Sequence, residues 1–197
     1  IEANHRGTGT LTILATGQIE AARGIEAEHT GDGALSITAS GDVLGQGGTY
    51  GEGIYAKASG VGAAGATDID GNSLEGVSLA ITANNVTGGT DGIYADNNGS
   101  GSLSITANGA VTGGTDDGIY ANSDSSEDLT ITIAEGGSVS TSGTDTDDWA
   151  IEAIAPTGAV IVNNFGTVTG RVNLTNSNVF TNSGTWDLAG TTSDFNA

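Results

Sequence analysis

Gly53-Ile54-Tyr55-Ala56 recurs as Gly92-Ile93-Tyr94-Ala95 and as Gly118-Ile119-Tyr120-Ala121. Variants stand at Gly24-Ile25-Glu26-Ala27 and Ala150-Ile151-Glu152-Ala153, and the chain opens on Ile1-Glu2-Ala3, the same phrase without its glycine. A phrase that returns this often is the signature of a repeat architecture. A second phrase follows at a constant offset. Ten residues separate Ile1 from Leu11, Ile25 from Leu35, Ile93 from Leu103 and Ile119 from Leu129. Each leucine opens a stretch of the type Leu35-Ser36-Ile37-Thr38-Ala39, repeated at Leu103-Ser104-Ile105-Thr106-Ala107. A third apolar position comes seven to ten residues further on, at Ile19, Val43, Val86, Val111 and Val139. Each unit therefore reads as three short strands joined by turns rich in Gly, Asn, Asp and Ser.

Alternation assigns the faces. In Leu-Ser-Ile-Thr-Ala the leucine, isoleucine and alanine share one side; in Ile-Tyr-Ala the tyrosine points away from its neighbours. One such unit cannot bury its apolar side, but a stack of them can. The expected fold is all-β, a right-handed parallel β-helix of about seven three-strand turns, roughly 33 Å long at one strand spacing per turn. Ile81 and Ile105 are expected inside, Ser78 and Ser104 outside. In the third unit the leucine phrase, Leu79-Ala80-Ile81-Thr82-Ala83, arrives only 25 residues after Ile54. The surplus is read as an insertion at 57–76 that leaves the coil as a loop.

The whole of 1–197 is read as a single β-helix segment. Residues 1–160 carry the regular repeats, and 161–197 hold tighter turns that are rich in aromatics. There Val162-Asn163-Asn164-Phe165-Gly166-Thr167-Val168 returns 18 residues later as Phe180-Thr181-Asn182-Ser183-Gly184-Thr185-Trp186. Phe165, Phe180, Trp186 and Phe195 are expected to fill the coil or close its end. Because the chain opens inside a repeat, it is expected to be a segment of something longer. With 34 glycines and 1 proline the composition suits turns and strands. The net charge of −20, with only four Lys and Arg, argues against nucleic acid and anionic lipid as partners. With no cysteine there is no disulfide.

The Gly-Ile-Tyr-Ala and Leu-Ser-Ile-Thr-Ala repeats, with Phe180-Thr181-Asn182-Ser183-Gly184-Thr185-Trp186-Asp187-Leu188 near the end, resemble the passenger of a bacterial autotransporter. The resemblance covers nearly the whole chain. It implies an exported β-helix, secreted or at the cell surface and often adhesive; the function expected of this chain is that of an adhesin or a stalk and not of an enzyme. In the full-length protein it would be continuous with an outer-membrane β-barrel translocator, which this chain does not contain. The implied partner is a protein or glycan of a host or neighbouring cell, and self-association through the coil ends is a further expectation.

Four groups of residues are candidates for chemistry. Tyr55, Tyr94 and Tyr120 occupy one outward position in successive units, with Glu2, Glu26 and Glu152 in the same column. Exposed rings offer apolar area plus a hydroxyl, which suits sugars or protein surfaces; the competing reading is a stabilising ladder with no ligand. Glu52, Asp91 and Asp117 share the column before Gly-Ile, and paired carboxylates one turn apart suit glycoside hydrolysis. A carbohydrate-active enzyme is thus the alternative function, set against turn residues that merely solubilise. His5 and His29 fall in neighbouring units near Glu28, which suggests zinc but lacks a fourth ligand. No cofactor is expected. The acidic loops at Asp68-Ile69-Asp70-Gly71 with Glu75, and at Asp145, Asp147 and Asp148, are the candidates for loose calcium binding.

Overall fold

The computed structural model describes residues 1–176, 178–188 and, for the backbone only, 194–195. It is a parallel β-helix of about seven turns, with three sheets running along the coil and no helix among the described residues. The first sheet stacks Glu2–His5, Ile25–His29, Ile54–Ala58, Ile93–Asn97, Ile119–Ser123, Ile151–Ile154, Val172–Leu174 and Asp194–Phe195. The second stacks Leu11–Ala15, Leu35–Ala39, Val77–Ala83, Ser102–Ala107, Leu129–Ile133, Val160–Asn164 and Asn178–Asn182. The third stacks Ile19–Ala21, Val43–Gly45, Val86–Thr87, Ala110–Gly113, Ser138–Thr141, Thr167–Thr169 and Thr185–Asp187.

The repeat phrases pair in register. Ile54, Ile93 and Ile119 are strand partners in order, as are the tyrosines and alanines that follow them. Ile25, Ile54, Ile93, Ile119 and Ile151 are fully buried, and so are Leu35, Leu79, Leu103 and Leu129 in the second sheet. Each such side chain contributes roughly 1.5–3 kcal/mol on burial. The core is one continuous cluster along the axis. Its width is set by β-branched and leucine side chains pointing inward from three walls.

The glycine of the repeat phrase has a packing reason. A Cβ at Gly92 would lie 2.5 Å from the Gly118 carbonyl oxygen and 2.9 Å from Val111 Cγ1. A Cβ at Gly53 would lie 2.4 Å from Val86 Cγ1 and 2.7 Å from the Gly92 oxygen. The corner between the third and first sheets is thus too tight for any side chain, and turn stacks on turn through bare backbone.

The insertion is a loop, with narrower limits than 57–76. Lys57 and Ala58 belong to the first sheet, and Val77 to the second. Gly60 still follows the coil, since a Cβ there would meet the Gly31 and Gly33 carbonyl oxygens of the preceding turn. The excursion between Gly62 and Gly76 closes on itself through the bond from Gly76 N–H to the Gly62 oxygen and an antiparallel bridge between Thr67 and Ser73. Leu74 is 2% exposed but stands outside the core cluster of the coil. No further turn is hidden in this segment, because Leu35–Ala39 pairs directly with Val77–Ala83.

Ser78 is a correction to the expected faces. It precedes Leu79 and is fully buried, its hydroxyl accepting from Gly101 N–H at 2.9 Å. The position equivalent to Ser104 is Ala80, its strand partner. Among the aromatics, Phe180 and Trp186 pack against the core with ring centroids 4.9 Å apart, whereas Phe165 is 49% exposed at a corner. The Phe165 ring therefore does not fill the coil; the Phe195 side chain lies outside the described residues.

Candidate functional site

The outer strip of the first sheet brings the sequence candidates together. Glu2, Glu26, Tyr55, Tyr94, Tyr120, Glu152 and Asn173 follow one another as strand partners in neighbouring turns. The tyrosine rings stack face to face. Centroids are 5.1 Å apart for Tyr55 and Tyr94 and 4.9 Å for Tyr94 and Tyr120, with planes inclined by 15° and 16°. Parallel register forces this spacing, because the strand separation is close to the distance at which rings stack. The ladder is half-buried. Its faces cover one another, so it presents ring edges and hydroxyls outward, and the expected platform of free apolar faces does not run along its length.

The end at Tyr55 is occupied by the chain itself. The Arg23 guanidinium lies 4.1 Å from the Tyr55 ring centroid and 5.2 Å from that of Tyr50. Arg23 also donates from Nε and Nη2 to the two carboxylate oxygens of Glu52, at 2.7 and 3.3 Å, and pairs through Nη1 with Glu26 at 2.9 Å. Along one flank the Lys57 ammonium sits 5.4 Å from the Tyr55 centroid and 5.9 Å from Tyr94, and pairs with Asp96 at 3.5 Å. Cation, ring and carboxylate together make a compact motif that the coil uses twice.

The other flank is the acidic column. Glu52, Asp91 and Asp117 are not solvated turn residues: they are 7%, 7% and 2% exposed. Each aspartate ties its turn to the next. Asp91 Oδ1 accepts from Asp117 N–H at 3.2 Å, and Asp117 Oδ1 accepts from Trp149 N–H at 2.7 Å. Carboxylate oxygens of Asp91, Asp116 and Asp117 all lie within 4.8 Å of one another. Burial pushes the Asp91 carboxyl up to about 7, helped by the like charges of Asp116 and Glu52. Burial pushes Asp117 up to about 9, and Glu152, Asp91 and Asp116 add to it. The Tyr120 hydroxyl is pushed up to about 12 by burial and by the neighbouring Tyr94, Glu152, Asp96 and Asp117. Repulsion among the carboxyls of this column is relieved by protonation, and only Glu52 has a guanidinium partner.

The remaining candidates resolve differently. His5 and His29 do meet, Nδ1 of the first lying 3.1 Å from Nε2 of the second. His29 is fully buried, and its Nδ1 accepts from Gly31 N–H at 3.2 Å, so the ring proton stands on Nε2 and faces the Gly9 carbonyl oxygen at 2.7 Å. Both ring nitrogens of His29 are thereby engaged, and the pair does not fit zinc. The Asp68 carboxylate is likewise consumed within its own loop. Its Oδ1 accepts from the N–H groups of Asp70 and Asn72, and its Oδ2 from the Asn72 side chain. At the loop of Asp145, Asp147 and Asp148 a cation is already present as Arg171. Its guanidinium donates to the carbonyl oxygens of Asp145, Thr146 and Asp148 at 2.7–2.8 Å and stacks 4.1 Å from the Trp149 ring centroid. Local spacing does not connect Arg171 with that loop; strand order does, since Arg171 follows one turn later. No protein-family model, curated protein or solved structure matches the chain.

Proposed function

We propose that this chain is a non-enzymatic binding scaffold of the autotransporter-passenger type, exported to the cell surface or beyond. It engages a protein or glycan of a neighbouring or host cell through the outer strip of its first sheet. The observation that carries this reading is the continuous ladder of Tyr55, Tyr94 and Tyr120, held in register over three turns and bordered by carboxylates on both sides. A rigid coil holds such a strip at low entropic cost, and aromatic residues concentrate binding energy where they are accessible. No helix among the described residues is long and apolar enough to cross a membrane, and anchoring in the full-length protein falls to the β-barrel that the resemblance implies.

The carbohydrate-enzyme alternative rests on Asp91 and Asp117, whose carboxyls hold protons near neutral pH within reach of other carboxylates. One experiment separates these readings. Labelled protein is applied to an array of glycans and extracellular proteins, alongside a variant with Tyr55, Tyr94 and Tyr120 all changed to Ser. The scaffold reading expects hits that the triple variant loses and that wild-type protein does not degrade. Hits retained by the triple variant would refute the strip, the absence of hits would favour a stalk, and turnover of a hit abolished by Asp91→Asn would favour the enzyme.

A further inference from the structure

The two ends of the tyrosine ladder differ in what lies beyond them: the place before the Gly/Ala-Ile phrase holds Arg23 one turn beyond Tyr55 and Trp149 one turn beyond Tyr120. At the Tyr55 end a guanidinium covers the terminal ring and is held by two carboxylates, Glu26 and Glu52. At the Tyr120 end acidic residues recur without the cation, Asp117 as a buried, protonated carboxyl and Glu152 as the group left to pair. Glu152 is the strand partner of Tyr120 in the following turn, as Glu26 is of Tyr55 in the preceding one. Asp117 occupies in its turn the position that Glu52 occupies before Gly53-Ile54. Asp96 flanks the ring, and Asp116 and Asp147 act on Glu152. Among the described residues no cation lies over Tyr120, and no ring stacks on its side away from Tyr94.

The chain's own bases are committed elsewhere. Arg23 and Lys57 serve the first two rings, and Arg171 is bound to Trp149 and three carbonyl oxygens. Only Arg6, in a turn at the far N-terminal end, is left of four Lys and Arg in a chain of net charge −20. Glu152 keeps its orientation through Asn173, whose Nδ2 donates to Oε1 at 2.7 Å, leaving Oε2 for an incoming donor.

We propose that the Tyr120–Glu152 end of the ladder is a docking point for an arginine or lysine side chain of a partner protein, stacked on the face of Tyr120 that is turned away from Tyr94 and paired with Glu152. Charge complementarity selects a basic segment, and the Arg23–Tyr55–Glu26 arrangement shows within the same sheet the geometry such a side chain takes. A guanidinium fits better than an ammonium, because it can lie flat on a ring while forking to a carboxylate. This inference rests on the scaffold reading only in taking the same strip as the binding face.

The test is a titration of the full chain, with ¹³C-labelled tyrosine rings, by N-acetyl-arginine amide at low ionic strength. N-acetyl-lysine amide, the uncharged isostere N-acetyl-citrulline amide and tetramethylammonium are run in parallel. The Tyr120 ring signals are expected to shift to saturation with the arginine probe, more weakly with lysine, and not with citrulline. Glu152→Gln keeps an acceptor for Asn173 and is expected to weaken arginine binding about fivefold, a size set by one partly desolvated cation–ring–carboxylate contact. Asp128→Asn removes the same charge at another corner and is expected to leave binding unchanged. Parallel, non-saturating shifts of all tyrosines, or equal weakening by Asp128→Asn, would overturn the proposal in favour of the diffuse field of an acidic chain. Tetramethylammonium binding as tightly as the arginine probe would overturn the protein side chain as the ligand. Array hits that depend on the tyrosines but carry no basic groups would leave the scaffold standing and remove this inference. Saturable arginine binding at Tyr120 with an array devoid of hits would do the reverse.

Discussion

The buried aspartates make the stability of this β-helix fall as pH rises across the neutral range. An unfolded aspartate ionises near 3.8, whereas Asp91 and Asp117 in the folded chain hold their protons up to about 7 and about 9. For an acid whose folded value is raised, the folded state binds the extra proton between the two values. The stabilisation is complete below 3.8 and is lost progressively up to the folded value. Each such proton costs about 1.4 kcal/mol per pH unit. From pH 5 to 7 two groups over two units give an upper bound of about 5.5 kcal/mol. Asp91 begins to release its proton near the top of that interval, and the two carboxyls interact, so a loss of roughly 3–5 kcal/mol is expected. From pH 7 to 9 Asp117 carries most of the continuing decline, while Asp91 completes its release just above 7. Asp116 and Glu152 are shifted upward as well, first by burial, and so add in the same direction. The measurement is urea denaturation at constant ionic strength at pH 5, 6, 7 and 8, followed by tryptophan fluorescence. Asp117→Asn keeps an acceptor for Trp149 N–H but cannot ionise, so it should remove about half of the pH 5–7 loss. A denaturation midpoint that is flat or rises from pH 5 to 8, or an Asp117→Asn variant with the wild-type slope, would refute the account of the column.

Two further outcomes test the coil itself. Ile105→Asp places a carboxylate in the core and should cost several kcal/mol, Ser78→Asp should also be damaging because that hydroxyl is buried against Gly101, and outward Ser104→Asp should change stability by less than about 0.5 kcal/mol; equal damage from all three in urea titrations would contradict the observed faces. Excising residues 63–73 joins Gly62 to Leu74, which already lie against each other, and should retain cooperative unfolding with a melting temperature within a few degrees, since loop length contributes only logarithmically; a broad, non-cooperative melt would show that the excursion supports the coil.

The repeat phrase, the ten-residue offset and the alternation within each strand were enough to read three parallel sheets, the Ile, Leu, Val and Ala columns and the outward tyrosine row. Strand periodicity and turn composition are local properties, and stacking identical units aligns identical residues, so register followed from the spelling. Val172–Leu174 escaped that reading as a strand of the first sheet, because it keeps the hydrophobic alternation without the glycine phrase. What only the tertiary structure decided is what covers each outward residue. Alternation says which side a residue faces, not how close the next turn, a corner or a loop comes to it. Hence Ser78 and the Glu52, Asp91 and Asp117 column, outward or turn residues by pattern, are buried by the neighbouring backbone. The same holds for the ladder, whose rings cover one another's faces, and for the cations. Apart from the local Arg23–Glu26 pair, Arg23 and Arg171 reach their rings and acceptors across turns 20 or more residues apart in the chain, through side-chain rotamers and corner geometry that no local spacing encodes.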